Sequence, residues 1–168
     1  SWRRGSLPRM SERSLVVHKL GGTSLGDASR IVRAARLLAA ASRRRRVVAV
    51  VSALGGVTDL LLAASHDAER GRLGPARRSV AELRARHEAA AAGIASETGA
   101  SVSFDAAPLA ELDTALSGIS LLRERTPRVT DLVASFGERL SAPLVAAALS
   151  ALGVPARAVD ARTFLATD

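Results

Sequence analysis

Of the 24 basic residues in this chain of 168, Lys19 is the single lysine. It closes a run that begins Leu15-Val16-Val17 and stands just before Gly21-Gly22-Thr23-Ser24. Arginine presents a wide planar fork, lysine a compact charge on a flexible stem. A site that seats one cation beside a tightly held phosphate needs the compact form. Consecutive glycines after a strand let backbone N–H groups approach an anion, and the helix that follows adds a favourable field. The same design recurs downstream. A β-branched run over residues 47–51 ends at Ser52 and opens into Gly55-Gly56, with Thr58 close behind. A third stretch, Ser135-Phe136-Gly137-Glu138-Arg139-Leu140-Ser141, sets a carboxylate beside a glycine near an expected helix start. Glu138 there could hold an ammonium group, or it could be a surface glutamate paired with an arginine. Neither glycine turn is a P-loop, because the lysine precedes the glycines, and neither matches Gly-x-Gly-x-x-Gly. A lone lysine must also fall somewhere, so its position alone does not settle its role.

Stepping along the chain gives the elements that must position these groups. Leu15–Leu20 reads as a buried strand. Asp27 is a good N-cap, and Ile31, Ala34, Ala35 and Leu38 recur at helical spacing to about Ala41. Residues 47–51 read as a second strand. Thr58 or Asp59 then caps a helix that runs to about Glu69. Gly71 to Gly74 breaks the pattern. Helices follow over 75–96 and 108–123, separated by a loop at 99–107. Helical propensity resumes after Pro127 and runs to about Leu152, with a break expected at Gly137 and a restart near Pro143. Residues 156–160 read as a third short strand. A strand, glycine turn and helix repeated in this way make a parallel sheet with helical crossovers. Both glycine turns then lie at the carboxyl edge of the sheet, where open α/β folds bind ligands.

Composition excludes several classes. There is no cysteine, and His18, His66 and His87 show no metal-ligand spacing, so no metal site is expected. Aromatics make up 2% of the chain, too few for a base-stacking platform, so a nucleic-acid partner is not expected despite a net charge of +8. The run Arg43-Arg44-Arg45-Arg46 reads as a solvated helix end, where cations are favourable. No apolar run reaches the roughly 20 residues that span a bilayer. No membrane partner and a cytoplasmic location are the expectation. Residues 1–13 read as an N-terminal extension without a signal core, with Met10 as a natural start.

Taken together, the stretches 19–24, 50–58 and 135–141, with Val159-Asp160-Ala161-Arg162 and Thr167-Asp168, resemble the N-terminal part of an aspartate kinase of the amino-acid kinase superfamily. The resemblance spans about Val16 to Asp168. It implies an α/β fold, a three-layer α/β/α sandwich with a mainly parallel central sheet, here truncated. It implies transfer of the γ-phosphoryl of ATP, with Mg2+, to the side-chain carboxylate of L-aspartate, the first step toward lysine, threonine and methionine. By motif match, Lys19 would be the catalytic cation. Lys19, Gly21, Gly22, Thr23, Ser24 and Ser52 would line the phosphate site, and Thr58 and Glu138 would hold aspartate.

The family's Gly-Arg-Gly-Gly-Ser-Asp stretch and its nucleotide half are missing, and Pro143 is unusual. The expectation is therefore that residues 14–168 form the acid-substrate portion of the domain. The parent would be a homo-oligomer, and the cut sheet would carry an unpaired edge prone to association. Two other readings stay open: a kinase of another small acid, and a non-catalytic remnant or basic binding module.

Overall fold

A computed structural model describes residues 14–165. The expected extension at 1–13 and Thr167-Asp168 lie outside the described residues. Strand β1 (Leu15–Leu20) pairs in parallel with β2 (Arg46–Val51), in a register that sets Lys19 against Val50 and Leu20 against Val51. Between them runs α1 (Ala28–Ser42), whose first turn is closed by Asp27 accepting a hydrogen bond from the Arg30 N–H at 2.8 Å. After β2 come α2 (Val57–Glu69), α3 (Leu73–Thr98), α4 (Ala107–Leu122) and α5 (Pro127–Ala151).

Along each strand, half-buried residues alternate with exposed ones. Leu20, Val47, Ala49 and Val51 point toward the core, and α1 and α5 pack over that side of β2. The other face carries Leu15, Val17, Val48 and Val50, each about half exposed, together with Lys19. The sheet is thus covered on one side. Below it, α2 packs against α3, α4 and α5 around Leu61, Leu83, Leu112, Leu116, Phe136 and Leu140.

Four sequence expectations need correction. First, α5 runs unbroken through Gly137 and Pro143. The Pro143 side chain is exposed, so the ring costs one hydrogen bond on the solvent side without entering the core. Gly137 is there for a contact described below, not for a break. By length and composition alone α5 could cross a membrane, but half of its apolar window is buried inside the molecule. Second, α2 starts at Val57 because Gly56, at φ 75°, takes the left-handed N-cap position. Third, α3 starts at Leu73, so the expected break at 71–74 shrinks to Gly71 and Arg72. Fourth, residues 156–160 form no ladder, and the described sheet has two strands rather than three. The sequence signal is real, since Val154 to Asp160 alternate between half-buried and mostly exposed, but no strand among the described residues supplies hydrogen bonds to it.

Candidate functional site

Both glycine turns do lie at the carboxyl edge of the sheet, and they touch. The Ser52 N–H donates to the Leu20 carbonyl at 3.0 Å, extending the ladder by one rung past the strands. A Cβ on Gly22 would lie 3.2 Å from the Ala53 carbonyl oxygen, and one on Gly55 would lie 3.4 Å from the Cα of Gly26. Side chains at these positions would push the turns apart. The first turn, Gly22–Leu25, is a single 3-10 turn anchored by buried Leu25. The opening N–H groups of such a turn have no partner within it and face outward. Thr23 and Ser24 are exposed beside them.

Lys19 projects from the uncovered face of the sheet, and no ion pair engages it among the described residues. Its ammonium folds toward the turn, 4.0 Å from the point where a Gly21 Cβ would lie. Glu138 approaches from the other side, because α5 packs against the covered face. Its Oε1 accepts a hydrogen bond from the Ala53 N–H at 3.2 Å. One helical turn on, the buried Ser141 hydroxyl donates to the Ser52 carbonyl at 2.7 Å. Helix α5 therefore holds the second turn by two side chains in succession. Gly137 makes this approach possible, since a Cβ there would come within 2.6 Å of the Ala53 Cβ. Thr58 is exposed in the first turn of α2, and no hydrogen bond ties it to the others among the described residues.

Two contributors escaped sequence reading. Ser141 sat within the motif containing Glu138 but carried no signal of its own. Arg86, on α3, donates to the Gly55 carbonyl at 3.4 Å while Glu82 grips its Nε and Nη2 at 3.1 and 2.6 Å. It borders an open cleft of about 470 Å³ beside the turns, lined also by Gly26, Asp27, Leu54 and Ala90. Nothing in the local sequence of a long polar helix marks that arginine.

The turn of α5 that carries Glu138 is fixed from its far side. The Arg139 guanidinium lies 4.6 Å from the Phe136 ring centre, pairs with Glu111 at 2.6 Å and reaches Asp160 at 3.6 Å. Asp160 is held below the usual carboxylate range by its hydrogen bonds to Arg162, with the Arg139 charge adding to the effect. Among the described residues no group of three or more His, Asp or Glu is arranged to hold a metal ion.

The amino acid kinase family model matches residues 14–166. Aspartokinase 1, chloroplastic, of Arabidopsis thaliana is 34% identical over 154 residues, covering 90% of this chain and 26% of that protein. Aspartokinase 3, chloroplastic, of the same plant is 31% identical over 155 residues, covering 92% of this chain and 27% of that protein. The chain thus spans about a quarter of the length of these relatives. In structure it is similar to E. coli aspartokinase III in complex with aspartate and ADP, R-state, with a TM-score of 0.65 and 25% identity over 83% of this chain and 29% of the other. The T-state of that enzyme, with lysine and aspartate bound, gives a TM-score of 0.65 at 24% identity, over 84% of this chain and 30% of the other.

Proposed function

The chain belongs to the amino acid kinase family, and on that premise we propose that it is the substrate-side part of an aspartate kinase. The parent protein would move the γ-phosphoryl group of ATP to the side-chain carboxylate of L-aspartate. The product, 4-phospho-L-aspartate, would feed the synthesis of lysine and threonine. Residues 14–168 would be the acid-substrate portion of the domain, and the parent would be a cytoplasmic homo-oligomer. The observation that carries this reading is the meeting of two glycine turns at one sheet edge, with a lysine on one side and a glutamate on the other.

In this reading Lys19 neutralises charge on the transferring phosphoryl group, and the N–H groups at Gly21 and Gly22 hold phosphate oxygens. Thr23, Ser24 and Ser52 line the same site. Glu138 binds the aspartate ammonium, with Thr58 beside it. The acceptor is already a carboxylate, so no general base is required. Positioning and charge neutralisation supply most of the rate. Magnesium would enter with the ATP phosphates, since the described donor set does not fit a protein-held ion.

The test is phosphorylation of L-aspartate by a full-length version of the protein, with other small acids as competitors. Wild-type activity that Lys19→Ala lowers by about 100-fold or more supports the reading, on the scale of removing one preorganised charge from a transition state. Normal turnover by Lys19→Ala, or preference for a different acid, overturns it.

A further inference from the structure

The net charge of this chain is concentrated in one segment. Residues 28–58 hold Arg30, Arg33, Arg36 and Arg43 to Arg46 and no acidic residue, a net +7. The other 137 residues hold 17 basic and 16 acidic side chains, a net +1, which completes the total of +8. Arg30 is engaged, pairing with Asp27 at 3.4 Å and donating to the Thr23 carbonyl at 2.8 Å. The remaining six are exposed, and none of their side chains makes an ion pair or hydrogen bond among the described residues.

Five of these six, Arg33, Arg36 and Arg43 to Arg45, lie along the outer face of α1 and the turn at its end, while Arg46 lies on the uncovered face of the sheet. Arg33, Leu37 and Ala40 lie on a single stripe of α1 at positions i, i+4 and i+7, with Arg36 at its side. Arg43 to Arg45 continue past the end of the helix. Leu37 is 68% exposed in the middle of this surface. The helix C-terminus accounts for cations in the last turn. It does not account for Arg33 and Arg36, which repel each other at i, i+3 in mid-helix. The surface runs from Arg33 in the second turn of α1 to the amino edge of the sheet, where the 43–45 turn lies roughly 16 Å of strand from the glycine turns.

We propose that this face of α1 and the turn at 43–45 bind an acidic protein segment that also carries an apolar side chain, seated on Leu37. Arginine is enriched in protein interfaces, and the desolvated centre of such an interface is more apolar than its rim. A nucleic-acid backbone would satisfy the guanidinium groups but leave Leu37 uncovered. The face also holds no aromatic residue on which a base could stack. None of its residues belongs to the glycine turns, so this inference stands or falls apart from the proposed activity.

The test uses the chain as it is, titrated with a labelled amphipathic helical peptide in which glutamates flank leucines. Polyglutamate and a short DNA duplex serve as comparison probes. The peptide should bind most tightly. Leu37→Ser should weaken it about tenfold, in keeping with the burial of one leucine. Arg33→Gln with Arg36→Gln should weaken it comparably at low salt and less at high salt. Glutamine keeps helix propensity, and an unchanged melting curve confirms that each variant is folded. Three outcomes overturn the proposal: no peptide binding, binding indifferent to Leu37→Ser, or duplex or polyglutamate binding as tight as the peptide.

Discussion

Two glycines inside helices should respond in opposite directions to the same added methyl group. Gly118 lies within α4, and a Cβ there would meet nothing within 4 Å. Gly118→Ala should gain the helix-propensity difference, about 0.5–1 kcal/mol. Gly137 lies within α5, and its Cβ would sit 2.6 Å from the Ala53 Cβ and 3.4 Å from Leu61 Cδ1. Carbon atoms in contact prefer about 3.5–4 Å, so one element must move by roughly 1 Å. The Ala53 methyl has no rotamer through which to escape. Over-packing of this kind costs about 1–3 kcal/mol, against a propensity gain of about 1 kcal/mol. The net expectation for Gly137→Ala is a loss near 1 kcal/mol, or roughly 2–4 °C in Tm for a chain of this size. Urea unfolding followed by circular dichroism reads both variants on one scale. Adding Ala53→Gly to Gly137→Ala should recover most of the loss, with a coupling energy of about 1–2 kcal/mol in the double-mutant cycle. If Gly137→Ala is as stable as Gly118→Ala, or if Ala53→Gly recovers nothing, the close approach of α5 to the second turn is wrong.

Two further outcomes are expected. His87 is fully buried, accepts no hydrogen bond at Nε2, bonds the Leu83 carbonyl through Nδ1 at 2.7 Å and stacks on Phe104 at 5.4 Å between ring centres. Burial, with the neighbouring Arg86 charge, pushes its pKa below the usual value of 6.5. The unfolded chain then binds a proton that the folded chain refuses. Stability should be full above about pH 6.5 and fall as the pH drops below it, by up to about 1.4 kcal/mol per pH unit until the folded pKa is passed. His87→Leu should flatten that part of the stability–pH curve, and an unchanged slope would show that other groups produce it. Pro143→Ala should raise stability by roughly 1–3 kcal/mol, because it restores an N–H for the Arg139 carbonyl at an exposed position. Equilibrium unfolding measures this, and a loss instead would mean that the ring packs better than its exposure implies.

The fold is legible in this sequence where the signals are self-contained. The two strands, the order of the helices, the Asp27 cap and the shared edge of the glycine turns all follow from periodicity and turn chemistry. What failed depended on distant partners. Gly137 and Pro143 look like helix breakers when each is read with its neighbours alone. The structure uses Gly137 for contact with Ala53, 84 positions away, and turns Pro143 to solvent. Residues 156–160 have strand character in pattern but no strand beside them. Arg86 and Ser141 reach the site only through tertiary packing, which no local spacing encodes.

Glu138 illustrates how such packing bears on chemistry. On the proposed reading, a carboxylate that holds an ammonium group would lose reach if it swung freely, and the second turn would lose a hydrogen-bond partner if the carboxylate left. The observed arrangement meets both demands with one side chain. Oε1 is committed to the Ala53 N–H, and Oε2 makes no hydrogen bond among the described residues. The bond to Ala53 fixes the orientation of the carboxyl group, so its remaining oxygen is presented at the sheet edge without further ordering cost. The same bond ties Glu138 to the turn that begins at Ser52 and, through the Gly22 contact, to the turn that follows Lys19. The Lys19 and Glu138 sides of the edge are thus joined through two turns in contact, a rigidity that the proposed in-line transfer between two anions would use.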